Sequence, residues 1–261
     1  WATAVPLPVF LWLSWTLNDR PADARLGLAL MPLAWGCVAI GRWLIADGRW
    51  QEAGDRVRYS PFAICNPQSA WCVVGYLCSL ISPLITYVFW DQALLSAALL
   101  AAAALYFLSA WAFRQRWWLI PAGVTLPLGY VSALDWLGLA FDPMGTAFAL
   151  VPAVYLLGGI ALERFRRVER SLMGPLYGVA HGLAVGAVIW GFVPLWNRVL
   201  WDAPWTDAAR LWAAGGQLIL GVTYGLVAWF FDQERWGHVA AWLGVIAGGF
   251  IATVYSRGRG S

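Results

Sequence analysis

The sequence predicts an all-α integral membrane protein, a polytopic bundle of eight or nine spanning helices, and three observations carry that expectation. Of 261 residues, 61% are hydrophobic and 12% are charged, whereas about a quarter of a soluble domain is charged. The charged residues fall in short clusters that cut the chain into apolar stretches of about 20 residues, the length that crosses a hydrocarbon core. The 20 Trp outnumber all 17 basic residues, and Trp gathers where a membrane meets water because its ring prefers that boundary while its N–H stays wet. A mean hydropathy of +0.64 excludes a soluble enzyme, a nucleic-acid-binding module, a disulfide scaffold and a disordered segment.

The elements follow in order from these clusters. A first apolar segment runs from Trp1 to about Leu17 and ends at the cluster Asn18 to Arg25. It has no basic stretch before it and does not read as a signal peptide. The next span, 26–46, stops at the polar loop that begins with Asp47. Spans 69–90 and 92–113 are divided by Trp90-Asp91-Gln92, and Arg114-Gln115-Arg116 closes the second of them. Spans 118–140 and 144–162 meet at Phe141-Asp142, and Glu163 to Arg170 ends the pair. Spans 172–195 and 211–231 are separated by the stretch holding Arg198 and Asp207, and Asp232 to Arg235 precedes the last span, 238–255. Such short connections make successive helices antiparallel neighbours.

Every basic side chain is Arg, and eleven of the 17 lie at one membrane face, in loops 47–60, 114–117, 163–171 and 232–238 with Arg42 beside them. By the positive-inside rule these loops are expected in the cytoplasm, with the chain in a bacterial inner membrane. The other face carries six Arg and the pairs Trp90-Asp91, Asp135-Trp136, Phe141-Asp142 and Trp201-Asp202.

Internal similarity divides the chain further. Pro83-Leu84, Val88 and Trp90-Asp91 recur as Pro194-Leu195, Val199 and Trp201-Asp202 at an offset of 111. After a seven-residue insertion around Pro204–Asp207, Tyr106, Ala110, Trp111 and Phe113 fall on Tyr224, Ala228, Trp229 and Phe231, and Arg116-Trp117 then meets Arg235-Trp236. The expected organisation is an N-terminal helix and loop over 1–25, a four-helix repeat over 26–142 and a second over 143–261. Four helices per copy bring both copies in from the same side, as parallel repeats. Leu17 matches Leu134, so the N-terminal piece reads as the tail of a further repeat of a longer protein.

Ionisable residues inside hydrocarbon are costly and mark function by default. His181 is the one placed well inside a span, about 12 Å from the Arg-rich loop at the helical rise. Its surroundings are small, with Gly178 and Gly182 on either side. A hydrogen bond to a neighbouring helix is the common fate of such a residue. Small neighbours also leave the flat recess that a tetrapyrrole needs to reach an imidazole nitrogen, and a proton or substrate role is the third reading. His238 lies at a different depth, which disfavours bis-His ligation.

Gln217 is the other buried polar candidate, with Thr125, Thr223 and Ser132 as weaker companions, and its amide is expected either to bond a neighbouring helix or to line a pathway. Arg42 lies one turn from its helix end, where it can snorkel or serve a pathway. Cys37, Cys65, Cys72 and Cys78 have neither Cys-x-x-Cys nor His spacing, so they read as small apolar residues and not as a metal or redox site. Pro83, Pro121, Pro127, Pro152, Pro175 and Pro194 interrupt spans, as proline does in many membrane helices. No phosphate loop, His-Glu-x-x-His or Gly-x-Ser-x-Gly is present. The expected role is therefore a non-catalytic scaffold or accessory subunit that contacts the lipid bilayer and other membrane subunits and no nucleic acid. A transporter or channel is the second reading, and a tetrapyrrole-binding subunit of an electron-transfer or photosynthetic complex the third.

Overall fold

The computed structural model describes residues 24–46, 67–88, 91–166, 170–202 and 206–257. The apolar segment from Trp1 to Leu17 and the whole of the loop 47–60 lie outside the described residues. The described chain is helical almost throughout and contains no strand: α1 (Ala24–Ala46), α2 (Pro67–Val88), α3 (Gln92–Ala112), a single 3₁₀ turn (Arg116–Trp118), α4 (Leu119–Trp136), α5 (Phe141–Arg166), α6 (Arg170–Trp201), α7 (Asp207–Phe231) and α8 (Glu234–Arg257). All eight α-helices are long and apolar enough to cross a membrane.

The helix ends follow from local chemistry. Asp91 caps α3 by accepting from the Leu94 amide at 3.0 Å, and Thr206 caps α7 by accepting from Ala209 at 3.1 Å, each satisfying a backbone donor that a helix start leaves free. The span expected over 118–140 stops at Trp136 because Gly138 takes a left-handed φ of +75°. The amide of Gly138 then returns to Asp135 O and that of Leu139 to Leu134 O, the paired bonds that close a helix when a glycine follows its end. Conversely, α6 runs through Pro194 to Trp201, six residues past the expected end. Its 32 residues span about 48 Å at 1.5 Å per residue, well over a bilayer core of about 30 Å.

Helix packing divides the described residues into two compact units: those up to Phe113 with Leu128–Ala133, and Arg114–Pro127 with those from Leu134 onward. In the first unit α1 packs on α2 and α3, and α2 on α3. The α1–α2 contact closes on glycine: a Cβ at Gly27 would lie 2.6 Å from Ser82 O, and one at Gly75 would lie 2.7 Å from Ala34 O. At the first of these points Ser82 Oγ donates to Gly27 O at 2.6 Å. Hydroxyl pairs join α2 to α3, Tyr76 to Ser109 and Ser79 to Tyr106, each at 2.8 Å. Ser96 donates to Gly129 O at 3.0 Å, which holds the 128–133 segment of α4 on α3.

In the second unit α5 packs on α6 and α7, and α7 on α6 and α8. Large side chains again fill glycine positions: Trp190 of α6 lies over Gly145, and Tyr177 over Gly159 of α5. Pro127 removes the amide that would have bonded the carbonyl four residues earlier, and that carbonyl, Gly123 O, accepts from Tyr155 OH at 3.1 Å. Thus a proline in α4 creates an acceptor that α5 fills.

Glycine at the α1–α2 contact is a steric requirement. Gly75→Ala is expected to destabilise the protein by about 1–3 kcal/mol through overpacking, read as a lower unfolding midpoint in detergent micelles. Gly36→Ala, whose Cβ meets nothing within 4 Å, is expected to leave the midpoint unchanged or slightly raised.

Candidate functional site

The α7–α8 hairpin builds one cluster of polar aromatic residues. Asp232 adopts a left-handed φ of 51° at the end of α7, a conformation Asp tolerates better than most residues. The next side chain, Gln233, accepts through Oε1 from Trp236 Nε1 at 3.0 Å and from Arg235 Nε and Nη2 at 3.1 and 2.9 Å. Trp236 is thereby fixed in orientation, with the Arg235 guanidinium 5.4 Å from its ring centroid, inside cation–π range.

Onto this indole α6 places His181. The two rings are nearly parallel, with centroids 4.6 Å apart and planes 8° apart. Tyr224 of α7 completes the cluster, its hydroxyl 2.8 Å from His181 Nδ1 and its ring 5.4 Å from Trp236. Either atom of the His–Tyr pair can carry the shared proton. The other imidazole nitrogen, Nε2, makes no hydrogen bond among the described residues, and His181 is only half-buried. Tyr177, one turn before His181, meets Phe231 edge-on at 6.4 Å. Since Phe231 ends α7, four residues of rise place His181 about 6 Å inside that end of the hairpin.

Gln217 lies apart from this cluster, two turns or about 10 Å along α7 from Tyr224. It is 1% exposed; its Nε2 donates to Val188 O at 3.4 Å, and its Oε1 has no partner among the described residues. The amide occupies space that only glycine leaves, since a Cβ on Gly191 would come within 2.7 Å of Nε2. Trp190 Nε1 is likewise buried without a partner among the described residues. Trp190 and Gly191 border a recess that Phe141, Asp142 and Trp212 also line. Its volume of about 10 Å³ is at the lower limit for one water. Thr146 Oγ1, on its wall, donates to Trp212 O.

Arg42 belongs to the first unit, half-buried four residues before the end of α1, where a cation complements the helix dipole. It makes no ion pair among the described residues. His238 is exposed on α8, and among the described residues no ring contact joins it to the aromatic stack. The described cysteines, Cys37, Cys72 and Cys78, are free thiols, and among the described residues no three His, Cys, Asp or Glu could together hold a metal ion.

One buried charge lies outside the residues that the sequence singles out. Arg210, expected in a loop, is 2% exposed in the first turn of α7. Its Nη1 donates to Asp207 Oδ1 at 3.3 Å and to Thr253 O, four residues before the end of α8, at 3.0 Å. A cation at its own helix N-terminus faces the wrong end of the dipole, and the carboxylate and the α8 carbonyl offset this. The signal was present in Thr206-Asp207, a cap and an acidic first-turn residue that together mark a helix start.

Comparison of the chain with protein-family profiles, with curated proteins and with solved structures gave no match.

Arg210→Met is expected to destabilise the protein by about 2 kcal/mol, the range for a lost hydrogen bond to a charged group, measured by unfolding in micelles. Arg198→Met is expected to change little, because the Arg198–Asp202 pair at 3.1 Å is exposed and solvent-screened pairs contribute weakly.

Proposed function

We propose that this protein is a non-catalytic subunit of a larger membrane assembly, a scaffold or accessory component that packs against other membrane subunits. The observation that carries this reading is the surface of α8. Only 17% of its span is buried, against 33–44% for the spans of α1–α5 and α7. Yet its outward side carries the exposed Gly244 and Gly248, where an added Cβ would meet nothing within 4 Å, with Val245 and Trp242 exposed beside them. Lipid chains gain nothing from bare glycine, whereas small residues four apart let another helix backbone come close. The occupant this face suits is a transmembrane helix of a partner subunit.

The proposed architecture is two parallel four-helix repeats, 26–142 and 143–261, after the piece 1–25. Three parallels support it. In each copy the first helix packs on the second and third, and the second on the third. Tyr106 and Tyr224, matched in sequence, each make a hydroxyl bond of 2.8 Å to the second helix of their copy, to Ser79 and to His181. Arg116 and Arg235 each lie over the following indole, at 5.1 and 5.4 Å. The insertion before α7 has a consequence in this scheme: Asp91 caps its helix, whereas its counterpart Asp202 pairs with Arg198 and the cap passes to Thr206. The proposed location remains a bacterial inner membrane with the Arg-rich loops in the cytoplasm.

A transporter or channel is the second reading, favoured by one observation: Gln217 Oε1 and Trp190 Nε1, an acceptor and a donor without partners among the described residues, lie near one recess.

Purification from native membranes in mild detergent separates the two. The subunit reading predicts co-eluting membrane proteins in constant ratio. It further predicts that Gly244→Leu with Gly248→Leu removes them while the chain stays monodisperse. A lone protein whose unfolding midpoint rises with one added solute would overturn it in favour of transport.

A further inference from the structure

His181 combines features that its hydrogen bond to Tyr224 does not use. Nδ1 is committed to Tyr224 at 2.8 Å, and the ring plane is held by Trp236 at 4.6 Å and 8°. A metal-binding imidazole is built in this way, one nitrogen tied by a neighbouring group so that the other presents its lone pair in a fixed direction. Nε2 is the nitrogen left over, with no hydrogen-bond partner among the described residues, on a residue that is only half-buried.

The helix surface beside it is bare. At about 100° per residue, Gly174, Gly178 and Gly182 lie about 20°, 60° and 100° around α6 from His181, all on one side. An added Cβ at any of the three would meet nothing within 4 Å. Only 22% of the α6 span is buried. A flat macrocycle can therefore lie against the helix backbone at this point, where branched side chains would hold it off.

The donor set selects the class of ligand. A bare metal ion needs three or four protein ligands, and no such group exists among the described residues. A tetrapyrrole brings four equatorial nitrogens of its own and needs a single axial ligand. Arg235, exposed at the same end and stacked over Trp236, supplies a cation for ring carboxylates at the membrane boundary. We propose that His181 Nε2 is the axial ligand of a five-coordinate metallotetrapyrrole seated on the Gly174–Gly178–Gly182 face of α6. This site does not depend on the subunit reading, since it uses a different helix and a different surface.

The test is titration of the full chain, purified in detergent, with hemin and with zinc protoporphyrin IX, followed in the Soret region. Saturable 1:1 binding with a shifted Soret band is the expected result. His181→Gly should lose it and regain it on addition of free imidazole, which separates ligation from a folding defect. Gly178→Leu with Gly182→Leu should weaken binding at least tenfold with His181 intact, whereas His238→Ala should have no effect. Absence of a saturable Soret change would overturn the proposal. So would a change that survives in His181→Gly without imidazole, which would identify non-specific partition of the macrocycle into the micelle.

Discussion

A backbone carbonyl or amide that lacks a partner cannot turn to water inside a bilayer, and the interior of this protein is organised around that constraint. Pro127 releases Gly123 O, and the hydroxyl of Tyr155 on α5 takes it up. Ser82, Ser96 and Arg210 likewise reach carbonyls of other helix segments, at Gly27, Gly129 and Thr253. Thr86, Ser109, Thr125 and Thr223 fold back on carbonyls three or four residues earlier in their own helices. The polar side chains that a span tolerates are thus mostly those whose second partner lies within reach of the backbone. Among the described residues Gln217 Oε1, Trp190 Nε1 and Glu163 Oε1 depart from this pattern, and Trp190 lines a recess that Gly216, next to Gln217, also lines.

Those polar contacts require close helices, and glycine provides the closeness. In lipid no hydrophobic gain drives one helix onto another, so association rests on packing and hydrogen bonds. Gly27 and Gly75 bring α1 to α2, while Gly145, Gly159 and Gly191 admit Trp190, Tyr177 and Gln217 between the helices of the second unit. The glycines of α6 and α8 that face outward have a different consequence: they leave surface unfilled where the rest of the exterior carries large apolar side chains. The same residue type therefore marks both the interior contacts and the two faces on which the functional proposals rest.

Much of the fold was legible because hydropathy and charge clusters report the bilayer directly. Each described span lies within a few residues of its expected position, and the departures have local causes: the left-handed Gly138 that ends α4 early, and the continuation of α6 through Pro194, which removes one hydrogen bond without ending the helix. The candidate site was less legible. His181 stood out as an intramembrane imidazole between glycines, but its partners did not. Tyr224 and Trp236 are 43 and 55 residues away in sequence, and their meeting with His181 depends on how far α6 slides past the α7–α8 hairpin, which no local pattern encodes. Arg210 was missed for a simpler reason. Apolar periodicity begins only at 211, four residues after α7 starts at Asp207, so a buried clamp between α7 and α8 has the sequence pattern of a solvated loop residue.

The central claim, that the chain crosses a bilayer with consecutive helices antiparallel, is tested most directly by single-cysteine accessibility. With the four native cysteines replaced, one Cys is placed in turn at Gln115, Leu139, Thr206 and Gln233, in the connections between spans. Each is reacted with a membrane-impermeant maleimide in sealed vesicles of both orientations. The account predicts that positions 115 and 233 react from one side only, and 139 and 206 only from the other. Reaction of 115 and 139 from the same side would mean that α4 does not cross the membrane, and would contradict it.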